Sequence, residues 1–231
     1  MPPPSARPAP RDAVHHPLFA RFYARCSVSA EPAIAPHRKE LLAGAEGRAI
    51  EVGAGNGLNF AHYPATVAEV VAIEPESVLR RLAASAAMRA DVPVDVVPGA
   101  AEALPVKSEA FDVAVASLVL CSVRDVPRAL GELRRVLRPG GELRFFEHGR
   151  APGGAMVTAQ RVLDRTVWPR LFGGCHVGRD PVGALRAAGF EVGTYRRIMV
   201  PERGPKFPSS YCFLGSARRP VEDGAAGADK P

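Results

Sequence analysis

The chain has 231 residues, 47% hydrophobic and 23% charged, an ordinary balance for one globular domain that buries its own core. Its net charge of +6 rests on 30 basic residues, nearly all arginines scattered as doublets such as Arg134-Arg135 and Arg196-Arg197. That pattern reads as residue bias rather than as a patch for an acidic partner. Collagen-like, wholly disordered and multi-span membrane chains are excluded, and no nucleic-acid reading motif is present.

Four cysteines, Cys26, Cys121, Cys175 and Cys212, lie far apart with no C-x-x-C pair. No zinc site and no disulfide framework is therefore expected. The start, Met1-Pro2-Pro3-Pro4, has no apolar signal segment. The most apolar stretch, 111–123, carries Asp112 and falls short of the ~20 residues that span a bilayer. The expectation is a cytoplasmic protein with no stable membrane insertion.

Residues 1–12 hold five prolines and are expected to be disordered; 218–231 reads as a loose tail. Between them, 13–217 reads as a single domain. Its parts are an N-terminal helical lid (13–47), a ligand-binding core (48–150) and a substrate-side segment with the last strands (151–217). Helices are expected at 18–25 and 37–43. Then come short apolar runs: Ala49-Ile50-Glu51-Val52, Val70-Val71-Ala72-Ile73, Val94-Asp95-Val96-Val97, 111–116 and 143–146. Runs of this kind suit strands buried on both faces of a parallel sheet. Helical patterns fall between them. One spans 77–87 with Ser77 as cap, another spans 126–137 and stops at Pro139-Gly140-Gly141, and a third spans 181–188 ahead of Gly189. Two late strands are expected at 190–195 and 211–214. The alternation predicts an α/β doubly wound sheet.

The sharpest motif, Glu51-Val52-Gly53-Ala54-Gly55-Asn56-Gly57, closes the first strand. Glycines there let the backbone turn tightly and approach a ligand beyond the carboxyl ends of the strands. A dinucleotide fingerprint needs a third glycine where Leu58 stands. Glu51, just before the turn, repels a pyrophosphate and attracts an amino group or a sulfonium. Glu74 ends the second strand, placed to accept from both hydroxyls of a ribose. A nucleoside with a cationic amino-acid tail, S-adenosylmethionine, fits both carboxylates. A nicotinamide oxidoreductase fits neither Leu58 nor Glu51.

This loop, together with Glu74, Gly99-Ala100-Ala101-Glu102-Ala103-Leu104-Pro105, Phe111-Asp112-Val113 and Arg135-Val136-Leu137-Arg138-Pro139-Gly140-Gly141, resembles the class I S-adenosylmethionine-dependent methyltransferases, in the branch of small-molecule and lipid methylators. The resemblance runs from about residue 48 to 150. It implies a Rossmann-like, seven-stranded, mostly parallel sheet with a reversed last strand. It implies that Gly53, Ala54, Gly55, Asn56 and Gly57 cradle the methionine part, with Ser117 and Leu118 at its border. It further implies that Glu74, followed by Pro75, holds the ribose, and that Ala101 and Glu102 lie beside the adenine. Ala100 stands where many relatives carry the aspartate that holds the adenine amino group. More narrowly, Leu118-Val119-Leu120-Cys121-Ser122-Val123, Glu147-His148, Trp168, Leu171-Phe172 and Gly174-Cys175 resemble the mammalian microsomal alkyl thiol methyltransferases, whose apolar N-terminal anchor is replaced here by prolines.

The expected activity is methyl transfer to a small apolar acceptor, with a thiol favoured. The alternatives are a quinone, lipid or other ring acceptor, and a non-catalytic cofactor-binding module. His148, at the carboxyl end of the fifth strand, is the candidate base; His176 is a weaker one. Cys121 reads as a core residue, and Cys175 as a residue that can line the pocket. Phe19, Phe22 and Tyr23 share the N-terminal helix, as core or as lid. The sequence sets no oligomeric state.

Overall fold

A computed structural model describes residues 17–221; the disorder expected at 1–12 lies outside them. Helix α1 (Pro17–Leu42) comes first, followed by β1 (Gly47–Val52), β2 (Val67–Ile73), α2 (Ser77–Ala87), β3 (Val94–Val97), β4 (Phe111–Ser117), α3 (Val126–Val136), β5 (Leu137–His148), α4 (Ala155–Arg165), α5 (Trp168–Leu171), α6 (Pro181–Ala187), β6 (Glu191–Met199) and β7 (Tyr211–Arg218). The strands form one sheet in the order β3-β2-β1-β4-β5-β7-β6. Strands β1 to β5 pair in parallel, and β7 runs antiparallel to both β5 and β6. This is the seven-stranded α/β sheet with a reversed last strand.

The core lies on both faces of the sheet. Ile50, Val52, Ile73, Ala114 and Phe145 pack under Leu130, Leu133 and Leu185 on one side. Ala49, Val70, Val115 and Phe146 pack with Leu41, Leu42 and Phe60 on the other. Burial on both faces is why these strands are continuously apolar. Strand order changes direction between β1 and β4, which opens a crevice at their carboxyl ends.

Four local expectations are corrected. The two helices read before β1 are one, α1, which runs through Pro32 and Pro36. Both prolines are exposed, so the carbonyls they leave unbonded face water. The cap of α2 is Glu76, not Ser77; its carboxylate accepts the N–H groups of Val78 and Leu79 at 2.7 and 2.9 Å. Pro139-Gly140-Gly141 does not end in a separate turn. It bulges within β5, between the pairings Leu137↔Phe111 and Glu142↔Val113. The ordered chain also reaches past 218: Arg219 is 8% exposed and donates to the carbonyls of Arg134 and Leu137 and to Glu109.

Candidate active site

The glycine turn, Glu74, Ser117-Leu118 and His148 stand at the carboxyl ends of β1, β2, β4 and β5, whereas Ala101 and Glu102 follow β3. The turn after β1 has left-handed glycines at 53, 55 and 57 (φ 66°, 58° and 80°), and Gly53 and Ala54 both donate to the carbonyl of Ile73. Glu74 is 4% exposed and spans the two strand ends, accepting from Gly55 N–H and Glu76 N–H at 2.8 Å each. Burial pushes its carboxyl up to about 7, against those two N–H groups. Pro75 follows, half-buried.

Glu51 sits deeper than its place in the motif suggests. Its oxygens accept from Asn59 Nδ2 at 2.9 Å and Tyr63 OH at 2.8 Å. Arg38 of α1 closes the network by donating to Asn59 Oδ1 at 2.7 Å and to Ser117 Oγ at 3.4 Å. Glu51 thus braces the loop from beneath. Burial pushes its carboxyl up to about 7, opposed by Tyr63, Asn59 and Arg38. A carboxyl whose folded value lies above its unfolded 4.5 contributes stability that is full below that value and lost as pH rises through about 7. Glu51→Gln keeps an acceptor and carries no charge. Relative to the parent it should therefore gain stability from pH 4.5 to 8, by on the order of 3 kcal/mol at ~1.4 kcal/mol per pKa unit. Urea unfolding of both proteins at the two pH values measures this.

Helix α1 lies over the loop. A Cβ built on Gly55 comes 3.4 Å from the Tyr23 ring, and burial pushes the Tyr23 phenol up to about 12, with the charges of Arg38, Glu74 and Cys121 also acting on it. Phe19 lies tilted beside Tyr23, ring centroids 6.0 Å apart, and meets Gly173. Phe22 is 52% exposed. Tyr23 thus stands against the glycine turn and Phe19 against Gly173, while Phe22 faces outward. Across the crevice, Ser117 and Leu118 are half-buried at the end of β4, Leu118 in the left-handed region at φ 58°. On the far side Ala101 is 7% exposed, and Glu102 accepts the N–H of Arg124 at 3.0 Å and of Asp125 at 3.4 Å. Ala100 makes only a backbone bridge to Ala103.

Glu147 is the residue whose role the sequence left unread. Its side chain is fully buried and accepts three successive N–H groups, Val119 at 2.9 Å, Leu120 at 2.8 Å and Cys121 at 3.1 Å. One carboxylate thereby shapes the whole turn after β4. His148, next to it, points its Nδ1 at Cys175 Sγ, 3.5 Å away, and Cys121 Sγ completes a cluster whose donor atoms lie within 4.8 Å of one another. Gly174 allows this closure. Its φ is 87°, and a Cβ there would strike the carbonyl oxygen of Ser122 at 2.8 Å; His176 N–H then donates to the Cys121 carbonyl at 2.7 Å. The His176 ring is itself turned to the Gly174 carbonyl at 2.7 Å, so it braces this loop. Trp168 and Phe172 stack at 4.1 Å and pack against Cys121, Cys175 and Val177, making an apolar wall. The candidate base thus stands between two thiols of its own chain. Neither cysteine stands at a short spacing from the other or from His148, and the fold brings the three together.

These residues fit a sulfonium nucleoside. The glycine turn leaves a cradle that a side chain at Gly55 would enter, Glu74 borders it and Glu51 braces it from beneath, and the sulfur cluster with its Trp168–Phe172 wall lies at the ends of β4 and β5. Together with the sheet order they define a methyltransferase, and the chain belongs to the S-adenosylmethionine-dependent methyltransferases, matching the methyltransferase-domain family over residues 50–145. It is similar to human thiol S-methyltransferase TMT1A, 34% identical over 195 residues and 79% of each chain. It is also similar to rat thiol S-methyltransferase TMT1B, 34% identical over 61% of this chain and 59% of that protein, and to the ubiquinone/menaquinone biosynthesis C-methyltransferase UbiE of Syntrophotalea carbinolica, 31% identical over 61% of this chain and 60% of that protein. The solved Burkholderia thailandensis 1,6-didemethyltoxoflavin-N1-methyltransferase, with bound S-adenosylhomocysteine, shares the fold at a TM-score of 0.63 and 20% identity, over 95% of this chain and 93% of that one. No described helix is long and apolar enough to cross a membrane.

Proposed function

We propose that this methyltransferase methylates the sulfur of a small, apolar thiol. The observation that carries the reading is the reach of its likeness to the human thiol enzyme. At 195 residues that likeness cannot fit inside the cofactor core at 50–145, so it extends into the acceptor side. The likeness to the quinone enzyme of Syntrophotalea carbinolica also runs past that core but is shorter, 144 residues and 60% of that protein against 79% of the human thiol enzyme. The Trp168–Phe172 wall beside Cys121 and Cys175 supports an acceptor that is apolar and soft.

S-adenosylmethionine supplies the electrophilic methyl group. In this reading Gly53, Ala54, Gly55, Asn56 and Gly57 hold its methionine part, with Ser117 and Leu118 at the border. Glu74, followed by Pro75, holds the ribose, and Ala101 and Glu102 flank the adenine. Glu51 acts by bracing the loop through Asn59 and Tyr63. Phe19 and Tyr23 close the crevice and exclude water. His148 lies at the acceptor side and steadies the acceptor's sulfur as an anion. A free thiol is partly ionised near neutral pH, so the pocket need only capture and align it. Losing one such contact to a charged group costs ~1.5–3 kcal/mol. His148→Ala should therefore lower kcat/KM for an alkanethiol by about 10- to 100-fold while leaving affinity for S-adenosylhomocysteine unchanged; steady-state kinetics and calorimetry together check it. Cys26, Cys121, Cys175 and Cys212 are all free thiols, in keeping with action in the reducing cytoplasm.

The deciding experiment offers the enzyme methyl-labelled S-adenosylmethionine with butanethiol in one tube and a demethylmenaquinol in another. Label in the thioether is the expected result. Label in the quinol with none in the thioether would place the chain with the ring methylators instead.

A further inference from the structure

Cys121, His148 and Cys175 come from three elements: the turn after β4, the end of β5 and the loop after α5. Each lies 27 residues from the next, far from a C-x-x-C pair, which is why the sequence predicts no zinc site. The fold nevertheless brings two thiols and one imidazole together, their donor atoms all within 4.8 Å. The cysteines are 3% and 7% exposed, while His148 is half-buried.

The geometry suits a tetrahedral ion. Zinc takes thiolate sulfur at ~2.3 Å and imidazole nitrogen at ~2.0–2.1 Å, so the sulfur–nitrogen edge of its tetrahedron is about 3.6 Å. Cys175 Sγ and His148 Nδ1 are 3.5 Å apart. The surroundings hold the donors in place: Glu147 fixes the Cys121 backbone, and His176 N–H ties the Cys175 loop to the Cys121 carbonyl. Two thiolates and an imidazole select a soft or borderline ion over a hard one. Three protein ligands leave one position of a tetrahedron free, the pattern of a working site rather than a structural one. Trp168 and Phe172 cover the cluster on one side. Cys121 and His148 stand at the carboxyl ends of β4 and β5, which run parallel to β1 and its glycine turn. The free position therefore faces the crevice.

We propose that Cys121, His148 and Cys175 form a three-ligand site for a zinc-class divalent cation whose fourth position receives the acceptor's sulfur. This rests on the thiol reading above and names how the pocket captures the anion. On capture the acceptor's S–H bond breaks, its proton leaves to solvent, and the sulfur's electron pair forms the bond to the cation. No electron changes owner, and no oxidant is needed. A cation of this kind lowers the pKa of a bound ligand strongly, so thiolate would be present well below the pH at which a free thiol ionises.

The test uses the full chain, stripped with a chelator and titrated with cobalt(II), with S-adenosylhomocysteine thermal shifts confirming that each protein is folded. The expected result is one cobalt per chain, with thiolate-to-cobalt charge-transfer absorption and the d–d bands of a tetrahedral ion. Butanethiol should strengthen the charge-transfer band. Cys121→Ser and Cys175→Ser should each weaken that band and loosen cobalt by at least ~10-fold, whereas Cys26→Ser should leave both unchanged. Parent protein without the band, or a band that survives in both serine variants, overturns the site; a band that ignores butanethiol overturns the role of the fourth position. Full thiol methylation by metal-free enzyme sinks the cation and spares the thiol reading. Cobalt bound as described with no thiol ever methylated does the reverse.

Discussion

Gly55→Val abolishes binding of S-adenosylhomocysteine while the protein stays folded. Gly55 holds φ at 58°, where a side-chain-bearing residue is strained by ~1–2 kcal/mol and a β-branched one by more. A Cβ there points into the crevice and meets the Tyr23 ring at 3.4 Å, so the valine methyl groups occupy the space between turn and cover helix. The Gly55 N–H also donates to Glu74, and a twist of the turn would pull that carboxylate out of line. The core is untouched, because the added atoms project toward the cover and not between strands. Affinity should fall by more than ~100-fold, equivalent to about 2.8 kcal/mol. Calorimetry with circular dichroism as the folding control measures it, and parent-like affinity would remove the turn from the cofactor site.

Glu147→Ala is the most damaging single change to stability. It leaves three successive N–H groups, those of Val119, Leu120 and Cys121, without their acceptor. An unmet buried donor costs ~1–3 kcal/mol, so the sum is on the order of 5 kcal/mol, a third or more of the ~5–15 kcal/mol that holds a domain together. Part of that is offset, because burial already raises the Glu147 carboxyl above its ordinary range against the N–H groups of Leu120, Val119 and Cys121. Glu147→Gln should be milder. Val119 and Leu120 share one oxygen, which an amide can still supply, so only the Cys121 donor is lost. Urea midpoints should fall in the order parent, glutamine, alanine. An alanine variant as stable as the parent would mean that this turn is held by something else.

The sheet was legible wherever local pattern and tertiary environment agree. Residues 70–73 and Ser77–Ala87 fall where the apolar run and the helical spacing put them, because the strand is buried on both faces and the helix buries Leu79 and Ala83 on one. Legibility failed where tertiary contacts override local signals. The helices expected at 18–25 and 37–43 are one, and α1 runs on through Pro32 and Pro36, both exposed. Pro139-Gly140-Gly141 read as a turn, yet Arg219 N–H donates to the Gly141 carbonyl and Gly140 N–H to that of Arg219, keeping the bulge within β5. Helix α4 left no trace. It starts after Gly154 without a capping side chain, and the residue it buries fully is the polar Gln160.

The candidate site divides in the same way. The glycine turn and Glu74 are legible in their own residue types, whereas the Ser117-Leu118 border follows from the family resemblance. Glu51 is in the motif, but its depth is not, since Asn59 and Tyr63 reach it from the following turn. The acceptor side has no local code. Cys121, His148 and Cys175 become neighbours only once β4 and β5 lie side by side and the Gly174 turn folds back on Ser122.

The most direct test is a crystal structure with S-adenosylhomocysteine and an alkanethiol bound together. The account predicts the ribose on Glu74 and the amino-acid end in the Gly53–Gly57 turn. It also predicts the thiol sulfur beside Cys121, His148 and Cys175, aligned so that a methyl group on the cofactor sulfur would lie ~3–3.5 Å from it. A cofactor bound away from the β1 turn, or a thiol lodged out of line with the cofactor sulfur and away from that cluster, would contradict it.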